Sequence, residues 1–212
     1  MPNQSPDTSL NKTTQSKNHA RPPSPNPRFL ADLQQLGYQR IIGLDEVGRG
    51  AGAGPLVVAA VEIYAEIDGI HDSKLLSKSR RTVLAQIIAQ QATQIRFGVA
   101  QSTEIDLLGL TKATELAYAR CLSQCEFDLI LTDHVKISSV KYLSSIKGDR
   151  FFYPVSAASI IAKVYRDQLM QIYGQFYPTF NWSKNVGYLT SEHISAIELQ
   201  GISPLHRQSF LP

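Results

Sequence analysis

Short apolar runs alternate with longer segments of helical periodicity along most of this chain. The runs that predict strands are Arg40–Leu44, Leu56–Ile63, Gln94–Ala100, Phe127–Asp133 and Phe151–Val155. The segments that predict helices are Ser79–Gln91, Thr103–Cys125 with a break at Gly109, Ser156–Tyr173 with Ser156 as N-cap, and Thr190–Leu199, which Gly201 ends. This alternation predicts one α/β domain over residues 29–212, with a mixed central β-sheet flanked by helices.

The first 28 residues differ in composition from the rest of the chain. They are rich in Asn, Gln, Ser, Thr, Lys and Pro, and Leu10 is the only large apolar residue after Met1. Such a segment buries too little apolar surface to offset its ordering entropy, so residues 1–28 are predicted to be a disordered tail. Four cations against Asp7 give it a charge of 4 − 1 = +3, which leaves residues 29–212 neutral. The tail is either a solvated appendage or a specific binding arm.

The sequence carries no signal for a membrane. No apolar stretch approaches the roughly 20 residues that span a bilayer, and the N-terminus lacks the apolar core of a signal peptide. We therefore expect a cytoplasmic protein with no membrane partner. We also expect it to be a monomer.

Two adjacent carboxylates, Asp45 and Glu46, stand where the apolar run Ile41–Leu44 ends. Such a pair beside a buried strand is costly unless cations compensate it. A glycine-rich loop with a single arginine, Gly48–Gly54, follows at once, and glycines allow a ligand to approach the main chain closely. Together the acids and the loop indicate hard metal ions held beside a polyanion.

Two further acids belong to the same hypothesis. Asp133 ends an apolar strand, and ligands of open α/β sheets gather at the carboxyl ends of strands. Its alternative role is to cap the following turn. Asp167 lies along the apolar stripe of the helix that contains Ile160 and Val164, where a buried carboxylate needs a partner. The alternative partner is Lys163, four residues earlier.

Four acids from three elements could form an all-oxygen cage for two divalent metals, which activate a water and stabilise a leaving oxygen in phosphoryl displacement. A dinucleotide site is the local rival, since Gly48, Gly50 and Ala53 loosely match its fingerprint. That fingerprint must open a helix, however, and the residues after Pro55 predict a strand. The chain contains no Gly-Lys-Ser/Thr phosphate loop and no Gly-x-Ser-x-Gly element, and four of its histidines, at positions 71, 134, 193 and 206, show no ligand spacing.

The segment around the acid pair resembles the signature of type 2 ribonucleases H (ribonuclease HII). It reads Gly43-Leu44-Asp45-Glu46-Val47-Gly48-Arg49-Gly50 and is closed by Ala53-Gly54-Pro55. Four further segments are similar to the family's blocks and occur in its order: Asp72-Ser73-Lys74-Leu75-Leu76-Ser77, Ala157 to Asp167, Gly187-Tyr188-x-Thr190-x-x-His193, and Ser203-Pro204-x-His206-Arg207-x-Ser209-Phe210. The resemblance covers residues from about Ile41 to the end.

The resemblance implies a ribonuclease H-like domain with a C-terminal helical extension, and an endoribonuclease that cuts RNA–DNA hybrids and ribonucleotides embedded in duplex DNA. Cleavage would use Mn²⁺ or Mg²⁺ and leave 3′-hydroxyl and 5′-phosphate ends. The implied catalytic and metal-binding residues are Asp45, Glu46, Asp133 and Asp167. The implied substrate-binding residues are Gly48, Arg49, Gly50, Lys74 and Tyr188. A catalytically inactive hybrid-binding module is the alternative.

The chain departs from the family pattern at three places. Val47 stands where the family usually has alanine, and Leu189 stands where a proline usually follows the tyrosine. His134 and Val135 follow Asp133 in place of a glycine and an asparagine. None of these changes removes an expected ligand, but the bulkier turn bears on how Asp133 is presented.

Overall fold

The computed structural model of this chain describes residues 27–70, 76–133, 140–144 and 152–211. In these residues five strands form one mixed sheet: β1 (Ile41–Val47), β2 (Leu56–Glu62), β3 (Gln94–Ala100), β4 (Leu129–Thr132) and β5 (Tyr142–Ser144). The spatial order is β3-β2-β1-β4-β5. β2 is antiparallel to both β1 and β3, whereas β4 is parallel to both β1 and β5. The predicted mixed sheet is therefore confirmed.

Helices cover both faces of the sheet. They are α1 (Pro27–Gln35), α2 (Lys78–Gln91), α3 (Ser102–Leu108), α4 (Leu110–Leu122), α5 (Tyr153–Phe176), α6 (Trp182–Asn185) and α7 (Ser191–Gln200). One core layer joins the sheet to α1, α2 and α5, and a second joins the opposite face to α3 and α4. A smaller cluster around Met170, Phe180 and Trp182 packs the C-terminal helices against α5. Along each strand the side chains alternate between the two core layers, because successive side chains point to opposite faces of the sheet.

The predicted strand Phe151–Val155 is wrong. Phe151 lies outside the described residues, and Tyr153–Val155 form the first turn of α5 with Phe152 as N-cap, so Ser156 is not the cap. Proline fits the first helical turn, where its missing N–H costs nothing, and Pro154 occupies that position. The break at Gly109 and the helix end at Gly201 are confirmed. Helix α1 and the three-residue strand β5 were not predicted.

The predicted tail of residues 1–28 falls outside the described residues except for Pro27 and Arg28. Helix α1 begins at Pro27 and packs Leu30 and Leu33 into the core, with exposed fractions of 5% and 6%. The disorder of the tail remains a prediction. No helix within the described ranges is both long and apolar enough to cross a membrane.

Candidate active site

Asp45 and Asp133 lie at the same edge of the sheet on neighbouring parallel strands. Leu44 of β1 pairs with Thr132 of β4, and each acid is the next residue in its chain. Parallel strands are about 4.8 Å apart, so the two acids occupy adjacent positions. Ile41 and Leu131 face the core layer beneath α5. By the two-residue alternation Asp45 and Asp133 face the same side.

Helix α5 brings Asp167 to that side. The helix runs along β1 in the same direction, since Gly43 lies against Pro154 and Gly48 lies against Arg166. A Cβ on Gly43 would stand 2.1 Å from the Pro154 carbonyl carbon, so only glycine permits this approach. Asp167 therefore lies near the carboxyl end of β1, with 8% of its surface exposed. Its Oδ1 accepts a hydrogen bond from Lys163 Nζ at 2.8 Å, which is the partner that the helical spacing offered.

Glu46 points to the opposite face, towards α4. The Tyr118 hydroxyl donates a hydrogen bond to Glu46 Oε2, and Arg49 Nη1 lies 3.6 Å from Glu46 Oε1. Burial, and then the nearby Glu46 and Asp45 carboxylates, raise the pKa of Tyr118. The hydroxyl therefore stays protonated and remains a donor to Glu46 across the ordinary pH range.

The donor chemistry of this edge fits a divalent cation, because four carboxylates supply the oxygen ligands that Mg²⁺ and Mn²⁺ prefer. The side chains are arranged around protein partners, with Glu46 on Tyr118 and Asp167 on Lys163. Over the described ranges no three His, Cys, Asp or Glu side chains are close enough together to hold a metal ion.

Two buried arginines bind the glycine loop through its carbonyl groups. Both Arg166 and Arg207 are fully buried. Arg166 donates to the carbonyls of Pro55 at 2.8 Å and Ala53 at 3.0 Å. Arg207 donates twice to Gly54, at 3.0 and 2.8 Å, and once to Arg49, at 3.0 Å. Burial, and next the Arg166 guanidinium, lower the pKa of Arg207, and the loop carbonyls stabilise its charged form.

The rim of the loop presents bare main chain. Arg49 and Gly50 are exposed, and in the described part of the protein their N–H groups meet no acceptor. A Cβ on Gly50 would meet no atom within 4 Å. Gly48 has a φ of +91°, and a Cβ there would stand 2.3 Å from Arg166 Nε. The arginines fix the inner carbonyls, and the exposed rim is free to contact a ligand.

Tyr188 lies beside this loop, with 40% of its surface exposed. The carbonyl of the preceding Gly187 accepts a hydrogen bond from the Ala53 N–H at 3.1 Å. Lys74 lies outside the described residues, so its predicted role stays a prediction.

Sequence reasoning did not single out Tyr118, Arg166 or Arg207. A signal for Arg166 existed, because it stands between Ala162 and Met170 at four-residue spacing on the buried stripe of α5. An arginine in such a stripe must find several acceptors. Tyr118 and Arg207 gave no comparable signal, since their partners are distant in sequence.

Comparisons with known proteins agree on one family. The family model described as ribonuclease HII matches residues 42–211. The chain is 42% identical over 196 residues to ribonuclease HII of Synechococcus sp. (strain JA-3-3Ab), covering 89% of each chain. It is 43% identical over 190 residues to ribonuclease HII of Listeria monocytogenes serovar 1/2a, covering 87% of this chain and 73% of the relative.

Solved structures are similar in fold. The ribonuclease HII in a PCNA complex from Archaeoglobus fulgidus superposes with a TM-score of 0.70 at 23% identity, covering 82% of this chain and 96% of that one. Ribonuclease H2 from Pyrococcus horikoshii OT3 gives 0.68 at 23% identity, covering 81% and 93%. Bst-RNase HIII in complex with Mn²⁺ gives 0.63 at 23% identity, covering 84% and 68%.

Proposed function

This chain belongs to the ribonuclease HII family, and from that premise we propose that it cuts duplex DNA at embedded ribonucleotides as well as the RNA strand of RNA–DNA hybrids. It is a metal-dependent endoribonuclease that acts on RNA–DNA hybrids. The inactive hybrid-binding module is not favoured. The proposed cleavage is a two-metal-ion phosphodiester hydrolysis that leaves 3′-hydroxyl and 5′-phosphate ends.

The proposed ligands of the divalent cations are Asp45, Glu46, Asp133 and Asp167. Their support is the placement of Asp45 and Asp133 on adjacent strand ends with α5 across the same face. Bound Mg²⁺ or Mn²⁺ would activate a water and stabilise the leaving oxygen of an in-line displacement. The Tyr118 hydroxyl orients the Glu46 carboxylate, and Lys163 balances the charge of Asp167.

Recognition of RNA is proposed to depend on the glycine loop. A 2′-hydroxyl is the group that separates RNA from DNA, and it can both donate and accept a hydrogen bond. Arg49 and Gly50 expose main-chain groups without an obstructing side chain at Gly50. Gly48, Arg49 and Gly50 would therefore contact the ribose, Tyr188 would pack beside the RNA–DNA junction, and Lys74 would bind the substrate.

The remaining proposals concern the cellular setting. We expect a monomer in the cytoplasm that takes part in DNA replication and repair and uses either Mn²⁺ or Mg²⁺.

One observation carries the proposal: two carboxylates on adjacent strand ends lie next to a loop whose rim is bare main chain. The test is cleavage of a DNA duplex that carries a single ribonucleotide, with Mg²⁺, with Mn²⁺ and with a chelator. We expect a cut on the 5′ side of the ribonucleotide–DNA junction in either metal and none with chelator. Cleavage of an all-RNA hybrid without any cleavage of the single-ribonucleotide duplex would contradict the proposed substrate range.

A further inference from the structure

Two buried histidines form a hydrogen-bonded pair behind Tyr188. His193 lies on α7 and His206 lies in the C-terminal segment, with exposed fractions of 0% and 2%. Trp182, which is fully buried, and Phe180 pack around both rings. Within the described residues neither histidine belongs to a group of side chains that could hold a metal ion, and both rings are buried from solvent.

The hydrogen bonds around the pair assign every imidazole proton. His206 Nδ1 accepts the Ser203 main-chain N–H at 2.8 Å, so the His206 proton is on Nε2. That Nε2 lies 3.1 Å from His193 Nε2, which also accepts from Trp182 Nε1 at 3.0 Å. The His193 proton is therefore on Nδ1, 2.9 Å from the Tyr188 carbonyl oxygen.

Both rings are consequently neutral, each in a single tautomer. A second proton on His193 would set its Nε2–H against two other donors, and one on His206 would set Nδ1–H against the Ser203 amide. Burial lowers the pKa of His193, and burial followed by the proximity of His193 lowers that of His206 to about 4. The lowered pKa values therefore agree with the neutral tautomers that the hydrogen bonds assign.

The chain of hydrogen bonds ends on the main chain of Tyr188. The residues before Tyr188 are bound from the other side, by Arg166 at the Val186 carbonyl and by the Ala53 amide at the Gly187 carbonyl. The Tyr188 carbonyl itself accepts two hydrogen bonds, one from the Thr190 main-chain N–H and one from the His193 side chain, each at 2.9 Å. His206 in turn pairs with Ala53 as an isolated antiparallel bridge, so the same network joins Tyr188 to the glycine loop.

We propose that His193, held in one tautomer by His206 and Trp182, is a positioning residue that sets where the Tyr188 ring meets the nucleic acid. This inference rests on the proposed role of Tyr188 at the RNA–DNA junction. It adds a specificity element that lies beneath the substrate surface and never touches the substrate.

The first test measures the tautomers without any activity assay. Long-range ¹H–¹⁵N NMR spectra of the folded protein near neutral pH should show His193 protonated on Nδ1 and His206 protonated on Nε2. The chain has one tryptophan, so Trp182 fluorescence gives an independent report on the same pair. An Nε2-protonated or cationic His193 at neutral pH would overturn the proposal.

The second test uses two matched variants. His193→Asn places an amide nitrogen at the position of Nδ1 and keeps the donor to Tyr188, whereas His193→Gln places its amide near Nε2 and loses that donor. The free energy of one hydrogen bond corresponds to roughly a five- to tenfold change in rate. We therefore expect kcat on a single-ribonucleotide duplex to fall by about that factor for His193→Gln, which loses the bond, and by less than about threefold for His193→Asn, which keeps it. Affinity for plain DNA duplex should not change. Equal losses in both variants, tracking their melting temperatures, would mean a merely structural role.

A double-mutant cycle completes the design. In a Tyr188→Ala background His193→Gln should have no further effect on kcat, because the positioned ring is already gone. Additive effects would overturn the proposal. If His193→Gln does not fold, Trp182→Phe, which removes one of the two donors that hold His193 Nε2, replaces it in the cycle with a smaller expected fall in kcat and the same absence of a further effect in the Tyr188→Ala background. If the wild-type protein cuts an all-RNA hybrid but not the single-ribonucleotide duplex, the proposed substrate range fails, and the cycle run on a hybrid whose cleaved strand passes from RNA to DNA still decides this inference.

Discussion

At the scale of single residues, the most heavily bonded side chains near the site are the two buried arginines. Arg166 and Arg207 together place six N–H contacts on carbonyl oxygens, five of them in residues 49–55. No carboxylate pairs with either of them within the described residues. Main-chain dipoles therefore compensate the two buried charges, and the loop conformation depends on both guanidiniums.

Arg207→Lys should destabilise the protein and weaken recognition of RNA. A lysine keeps the charge but cannot reach the Gly54 and Arg49 carbonyls together, since its ammonium is a single point. We expect the free energy of unfolding to fall by about 2–4 kcal/mol, the cost of leaving hydrogen bonds to a buried charge unmade. Urea unfolding measures the change in the free energy of unfolding. Cleavage assays on a single-ribonucleotide duplex measure whether the glycine loop still recognises RNA.

The matched control is Arg120→Lys, which breaks a bidentate pair with Glu104 at the surface. Surface ion pairs are worth at most about 1 kcal/mol, so this variant should stay close to wild type. An Arg207→Lys protein as stable as Arg120→Lys would contradict the assigned role.

Asp45→Asn should abolish cleavage and leave the fold intact. Asp45 is a proposed metal ligand, and removing one of several crowded carboxylates relieves repulsion when no metal is present. The melting temperature without metal should hold or rise. Added Mn²⁺ should raise the melting temperature of the wild-type protein more than that of the variant, because the cation binds only the native state. Glu115→Gln, at an exposed position on α4, is the control. Normal turnover by a folded Asp45→Asn protein would remove Asp45 from the site.

At the scale of elements, the position of the acids depends on how closely α5 approaches β1. Gly43 leaves no space between the strand and the Pro154 backbone. The same contact fixes where Asp167, thirteen residues further along α5, stands relative to Asp45. A shift of the helix by one residue would move Asp167 by about 1.5 Å along its axis and rotate it away.

Gly43→Ala should therefore lower both stability and activity. The new Cβ would stand 2.1 Å from backbone, which cannot move aside as a flexible side chain can. Overpacking of this kind costs about 1–3 kcal/mol or more. Gly50→Ala is the control for stability, because its Cβ would meet no atom within 4 Å. Chemical denaturation compares the two, and equal stabilities would show that α5 can shift without cost.

The elements also show what the sequence can and cannot predict. The strands around Ile42, Val58 and Leu131 were predictable, because buried strands need long apolar runs. Tyr142–Ser144 was not, since a three-residue edge strand with two exposed residues leaves no such pattern. The predicted strand was wrong at Tyr153–Val155 because a short run that contains aromatic and β-branched residues fits a strand and a buried helical turn equally well. The four acids were selected from local patterns, namely an adjacent pair, a strand end and an apolar helix stripe, and their role as ligands stays a prediction. Tyr118 and the bonding of the histidine pair depend on contacts that only the folded chain makes.

At the scale of the whole molecule, the boundary of the folded domain can be tested by truncation. Removing residues 1–26 should leave stability unchanged and weaken binding of nucleic acid modestly, more at low salt, because the tail contributes unpatterned positive charge. Removing residues 1–35 should destabilise the protein, since it deletes the core side chains Leu30 and Leu33. Thermal melts of both truncations, and binding at two salt concentrations, measure these effects. Unfolding of the shorter truncation would show that the tail is structural.

The histidine pair predicts that the protein loses stability in mild acid. The pKa of His206 is about 4 in the folded protein and 6.5 for the free side chain, so below pH 6.5 the unfolded chain binds the extra proton. The free energy of unfolding should therefore fall as pH drops from 6.5 towards 4, by up to about 1.4 kcal/mol per pH unit. Above pH 6.5 the pair adds no pH dependence. His193 faces His206 directly, and because burial also lowers its pKa it adds to this slope in the same direction. The other groups bonded to the rings are Trp182, Ser203 and the Tyr188 carbonyl, none of which titrates in this range. A His206→Gln variant that keeps the full slope would contradict this assignment.

The arginine at position 207 also has a consequence for the timing of synthesis. Its guanidinium binds the Arg49 carbonyl, 158 residues earlier. At about 5–20 residues per second, a ribosome needs roughly 8–30 s to make the residues between them. During that interval the strands can pair, yet the loop proposed to recognise RNA lacks its second anchor. A nascent chain that has not yet reached Arg207 would thus lack the guanidinium that binds the Arg49 and Gly54 carbonyls, so the loop proposed to recognise RNA is completed only after residue 207 has been made.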